Sequence, residues 1–179
     1  LIKDYIEGVK LIDKKKNDGT FFMIKFNKDN INLIFFKKSS FKYTQNFKFG
    51  TNLILNDIEK VCEISRSTIE KILHDRYFEK KYFEENEFLE VEYFRNEKFK
   101  KVKKQLIADV SVARIEEFIS LIFNNNKNLQ LYKKENNLIY FLIKDQNIKN
   151  NFDNNFNYHF SKKIPSQSSL INSFDLDTL

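Results

Sequence analysis

Apolar positions in the first fifty residues fall in short, dense runs. Thr20–Phe26 reads TFFMIKF, Ile31–Lys38 reads INLIFFKK and Phe41–Phe49 reads FKYTQNFKF. Runs of this length, rich in β-branched and aromatic residues, predict strands. Asn17-Asp18-Gly19 and Asn27-Lys28-Asp29-Asn30 punctuate them as turns. The pattern predicts a small antiparallel meander over residues 1–50, with Leu1–Ile12 before it as a short helix or a further strand.

After Gly50-Thr51-Asn52 the period changes from two to that of a helix. Ile58, Val61 and Cys62 stand at i, i+3 and i+4, and so do Ile69, Ile72 and Leu73. Between them lies Glu63-Ile64-Ser65, and Ser67 with Glu70 reads as a capping box for the second helix. Phe88–Phe94, FLEVEYF, alternates as a strand does. The order then recurs. Glu97–Phe123 predicts a Lys-rich helix with Phe99, Val102 and Leu106 on one face and a break at Asp109-Val110-Ser111. A second helix follows, burying Ile115, Phe118, Ile119 and Ile122. Leu129–Ile143 predicts a hairpin with Lys134 to Asn137 at its tip. From Asn147 onward Asn and Ser dominate, which predicts a flexible tail, although Phe152, Phe156 and Phe160 would let a short helix dock.

The fold class expected is α+β: a small antiparallel β meander, one or two winged-helix units and a flexible tail. The boundaries are 1–50, 51–96, 97–146 and 147–179. Composition changes this picture little. The chain has 20 Phe, no Trp, three Gly and one Pro, and Lys, Asn and Ile abound. That reads as the coding bias of an AT-rich genome, so Lys for Arg and Asn for Ser carry little meaning. A net charge of +6 permits a polyanion partner without requiring one. Cys62 is the only cysteine, which excludes an intrachain disulfide and fits an intracellular, reducing compartment, whether cytoplasmic, nuclear or organellar. No window of 18 apolar residues predicts a membrane span, and LIKDYIEGVK lacks a signal-peptide core.

The stretch DIEKVCEISRSTIEKIL resembles the helix-turn-helix pattern, carried by Ile58, Ile64, Ser65, Ser67, Thr68 and Ile69. Glu59 and Glu63 stand where that pattern has a small residue and a turn glycine. The resemblance implies that Arg66, Ser67 and Glu70 lie near nucleic acid, with Lys60, Lys71 and Arg76 on phosphates. VKKQLIADVSVARIEEFISLI, Val102–Ile122, resembles the winged helix that ends the middle subunit of replication protein A. That implies a docking surface on Arg114, Glu117 and a Lys133-Lys134 wing. QSSLINSF, Gln167–Phe174, looks like a sliding-clamp peptide, with Gln167 at the rim, Leu170 as plug and Phe174 as aromatic.

Catalysis finds little in the residues. His74 and His159 are far apart, there is no Gly-rich phosphate loop, and the five Glu of FEENEFLEVE read as a solvated run. The expectation is a non-catalytic nucleic-acid-binding or scaffolding subunit in DNA replication, repair or transcription, without cofactor or metal. Its partners would be DNA or RNA, the proteins of a larger complex and a sliding clamp. The alternative is a structural subunit of an organellar, viral or phage assembly without direct nucleic-acid contact.

Overall fold

The structure is a computed structural model that describes residues 5–9, 20–75, 83–131, 138–163 and 171–173. Its centre is a mixed sheet. β1 (Phe21–Phe26), β2 (Ile31–Lys37) and β3 (Ser40–Phe47) pair antiparallel in chain order. β4 (Leu138–Ile143) lies parallel to β1 on its other side, and β5 (Ile171–Ser173) lies parallel to β4. The strand order is therefore β3-β2-β1-β4-β5. Every residue of β1 is buried, as a strand flanked on both sides and covered on both faces must be. β3, at one edge, is mostly exposed or half-buried.

One face of the sheet carries the main core. Phe22, Ile24 and Phe26 line up with Phe35, Leu33 and Ile31 on β2 and with Ile139, Phe141 and Ile143 on β4. The helices α1 (Asn52–Cys62), α2 (Arg66–Asp75), α3 (Lys104–Asn124), α4 (Lys127–Leu131) and α5 (Gln146–Lys163) accompany it. A contiguous cluster of buried side chains runs from Phe22 to Phe160. The opposite face buries Phe21, Met23, Ile34, Phe36 and Tyr140. Residues 5–9 form a helical turn there, with Tyr5 stacked on Phe36 and Lys25 paired with Glu7. Gly8 is required by proximity: a Cβ on it would lie 2.1 Å from the Phe36 ring.

The helix faces read from the sequence hold in part. Ile58, Cys62, Ile69, Ile72 and Leu73 are buried, as are Ile115, Phe118, Ile119 and Ile122. Val61, Phe99 and Leu106 are exposed. The strands of the meander are present, but they share their sheet with β4 instead of standing apart.

The winged-helix arrangement is not the fold. Phe88 makes one isolated antiparallel bridge to Lys103, and Val91–Phe94 is a 3-10 turn, so the strand predicted over Phe88–Phe94 is absent. The break predicted at Asp109-Val110-Ser111 is the middle of α3. Ser111 is fully buried there and its hydroxyl donates to the Ile107 carbonyl one turn back, so tertiary burial overrides weak local propensity. The hairpin predicted over Leu129–Ile143 is the end of α4 followed by β4, with its tip outside the described residues. The predicted flexible tail is, up to Lys163, the helix α5. Phe152, Phe156 and Phe160 are fully buried, and the Phe156 and Phe160 rings sit 4.8 and 6.2 Å from that of Phe26.

Candidate functional site

In open sheets ligands collect outside the carboxyl ends of parallel strands, where neighbouring connections leave in opposite directions. β1 and β4 are such a pair. β1 turns into β2 on one side, and β4 leads through α5 to β5 on the other. The two strands end together at Phe26 and Ile143, and the Lys144 N–H donates to the Phe26 carbonyl at 2.9 Å. The residues gathered here are the β1–β2 turn Asn27–Asn30, the start of α1 and the Lys144-Asp145 entry to α5.

The turn is latched onto α1. The Thr51 and Asn52 N–H groups donate to the carbonyls of Asn27 and Lys28 at 3.0 and 2.8 Å. Asn52 Nδ2 donates to Asp29 Oδ1 at 2.7 Å. Within the turn, Asn27 Nδ2 donates to Asn30 Oδ1 at 2.7 Å. Gly50 permits this approach: a Cβ on it would stand 2.4 Å from the Asn27 carbonyl oxygen and 2.5 Å from that of Lys28. Leu53 and Ile54 N–H complete the turn to Gly50 and Thr51 carbonyls, so the four N–H groups from Thr51 to Ile54 are all taken. At α5 the Asp145 carboxylate accepts from the Asn147 and Ile148 N–H groups at 3.1 and 3.2 Å. Helix-terminal N–H groups are the usual grip on phosphate. Here both helix starts are filled by the chain's own oxygens, and a phosphate does not fit them. Lys28 and Lys144 remain exposed at this end.

A polar relay extends from the latch. Arg66 Nη2 donates to Asn52 Oδ1, Arg66 Nη1 to Asn56 Oδ1 at 2.8 Å, and Arg66 Nε to Glu70 Oε1 at 3.3 Å. The Arg66 donors are thus committed inside the chain, not presented to nucleic-acid bases. Ser65, and not Ser67, caps α2: its hydroxyl accepts from the Thr68 N–H at 3.3 Å. Glu97, far along the chain, takes the place read for Glu70 and accepts from the Ser65 N–H at 3.1 Å. Partial burial pushes the Glu97 carboxyl up. Hydrogen bonds from Thr68 and Ser65, with the Lys100 ammonium, outweigh that and hold it below its ordinary value.

The other basic residues read from the sequence do not converge. Lys60 and Ser67 are exposed on α1 and α2. Lys71 lines an open cavity of about 560 Å3 with Asp75, Glu90, Glu92, Tyr93 and Arg95, where three carboxylates oppose a phosphate backbone. Arg114 is held by Asp57 and Glu117. Arg76, Lys133, Lys134, Gln167, Leu170 and Phe174 lie outside the described residues, while Ile171–Ser173 adds to the sheet as β5. Asn27, Asp29, Asn52, Asn56 and Asp145 were passed over in the sequence. The first two read as turn residues, and nothing local to the others reveals that β1 and β4 end side by side. Among the described residues no cluster of His, Cys, Asp and Glu could hold a metal ion, and no helix is long and apolar enough to cross a membrane.

No protein family matches the sequence, and no curated protein matches it significantly. Solved structures do. The ethanolamine utilization protein EutJ from Carboxydothermus hydrogenoformans superposes with a TM-score of 0.57 at 12% identity, over 92% of this chain and 47% of that one. MreB 5 of Spiroplasma citri bound to AMPPNP superposes with a TM-score of 0.54 at 14% identity, over 93% of this chain and 51% of that one. This chain therefore spans about half the length of each. These neighbours are actin-like, and they overturn the winged-helix resemblance and with it the reading of a DNA-binding subunit in replication, repair or transcription. The helix pair that suggested that reading packs into the same core cluster beside the sheet, its connecting residues spent on internal bonds.

Proposed function

We propose that this chain is one lobe of an actin-like protein and that it faces an adenine nucleotide with the carboxyl end of β1 and β4. The observation that carries this is the likeness in fold to MreB 5 bound to AMPPNP, over half that protein's length. The position of the site follows from the sheet, because the β1–β4 switch point is where such sheets receive ligands. The occupied N–H groups of α1 and α5 set the mode of contact. The lobe offers side chains, Lys28 and Asn30 from the turn and Lys144 beyond β4, and not a backbone cradle for phosphate. Affinity of the chain alone is then weak.

The test is AMPPNP titrated into the isotopically labelled chain while backbone amide shifts are followed. Several times 1 mM nucleotide is enough, since even about −4 kcal/mol of binding saturates there. Shifts confined to residues 27–30, 50–52 and 144–147 are the expected result. An unmoved spectrum, or shifts centred on Lys71 and Arg95, would overturn the assignment.

A further inference from the structure

We infer that Arg66 is a positioning residue for the β1–β2 turn and acts on it through Asn52; this rests on the turn being part of the nucleotide-facing edge. The Asn52 side-chain amide is used at both ends. Its Nδ2 donates to Asp29 in the turn, and its Oδ1 accepts from Arg66 on α2. An amide that could rotate freely is thereby fixed in one orientation: turned over, it would set a donor against the guanidinium and an acceptor against a carboxylate. The guanidinium is fixed in turn by Asn56, which accepts from Nη1 at 2.8 Å, and Glu70, which accepts from Nε at 3.3 Å. Its planar fork spans two amides one helical turn apart on α1, which a single ammonium cannot do. The relay Glu70, Arg66, Asn52, Asp29 thus ties the second helix to a turn on the far side of the α1 start. The two backbone bonds from Thr51 and Asn52 to the turn run beside it.

Amide hydrogen exchange at positions 51 and 52 reads the latch directly, because those N–H groups donate to the turn. In nucleotide-free protein, Arg66→Ala should speed exchange at both positions about tenfold, as a local opening does, while Ile24 in β1 stays protected. Asn52→Asp keeps the acceptor for Arg66 but sets a carboxylate against Asp29, and should do the same. Arg66→Lys should give an intermediate rate. Unchanged exchange at 51 and 52 in both Arg66→Ala and Asn52→Asp would overturn the relay. So would acceleration at Ile24 equal to that at 51 and 52, since it would mark a general loss of stability. Wild-type rates in Arg66→Lys would remove the two-amide clamp. The same variants titrated with AMPPNP separate the two ideas. If the wild-type chain shows no nucleotide shifts while the exchange result stands, the relay survives and the nucleotide reading fails. If wild type responds and Arg66→Ala loses its shifts at 27–30, both hold.

Discussion

At the scale of single residues the most telling position is Glu63. It closes α1 in the left-handed region, with φ 52° and ψ 40°. A residue with a Cβ is disfavoured there by roughly 1–2 kcal/mol, whereas glycine gives back roughly 0.5–1 kcal/mol in chain entropy. Lys100 donates to the Glu63 carbonyl and lies 3.0 Å from its Oε2, an exposed pair that contributes little. Glu63→Gly should therefore stabilise the fold by up to about 1 kcal/mol. Glu63→Ala keeps the backbone conformation and loses the pair, so it should be neutral or slightly harmful. Urea midpoints compare the three, and a Gly variant less stable than the Ala variant would refute the account. The sequence marked Glu63 only as a residue standing where the helix-turn-helix pattern has a glycine, and that much was legible. The exposure of Phe99 and Leu106 was not. Both precede or begin α3, and the helical phase read from Glu97 does not apply before Lys104.

At the scale of elements, α5 shows what composition hides. Its polar, Asn-rich sequence reads as a tail, but Phe152 is fully buried, the Phe156 and Phe160 rings meet Phe26 and Phe141, Phe160 also meets Phe123, and buried Asn151 donates to the Leu73 carbonyl at 2.8 Å. Phe156→Ala should cost about 3–5 kcal/mol, as truncated core aromatics do. Coincident melting curves for that variant and wild type would return α5 to the status of an appendage. The contact of α5 with α3 should also be sensitive to acid. His159 is nearly buried, with its Nδ1 4.0 Å from Glu116. Burial lowers its pKa from the ordinary 6.5; Glu116 works the other way, and Lys162 and Lys163 add to the lowering. A histidine that resists protonation when folded binds fewer protons than the unfolded chain below that value. Its contribution is intact above about pH 6.5 and is lost as pH falls through the lower folded value. His159→Gln should lose less stability than wild type between pH 7.5 and 5.5 in thermal melts. An equal loss in both would assign the acid sensitivity elsewhere.

At the scale of the whole molecule, the strands could be read from the sequence but their order could not. Dense apolar runs marked β1, β2 and β3, and the turn from β1 to β2 was visible as the Asn-rich break at 27–30, whereas the tight turn from β2 to β3 at Lys38-Ser39 carried no such mark. LIYFLI of β4 also reads as a strand, but the sequence pairs it in a hairpin with the segment just before it. A fully apolar run carries no mark of its partner, and the parallel pairing of β1 with β4 depends on everything packed between them. The candidate site shared that fate. Its turn was recognised, but Lys144 and Asp145 come beside the end of β1 only once β4 is in place. The AMPPNP titration is thus a test of tertiary assembly as much as of ligand chemistry.

The pairing of Phe21 with Leu138 has a consequence during synthesis. A ribosome making roughly 5–20 residues per second delivers β4 on the order of ten seconds after β1. Throughout that interval the nascent hairpin carries an open strand edge and the aromatic face later covered by α5. Contacts so distant in sequence also close slowly. The emerging chain therefore presents an edge open to pairing with other chains, and a fragment ending before β4 lacks the strand that covers it.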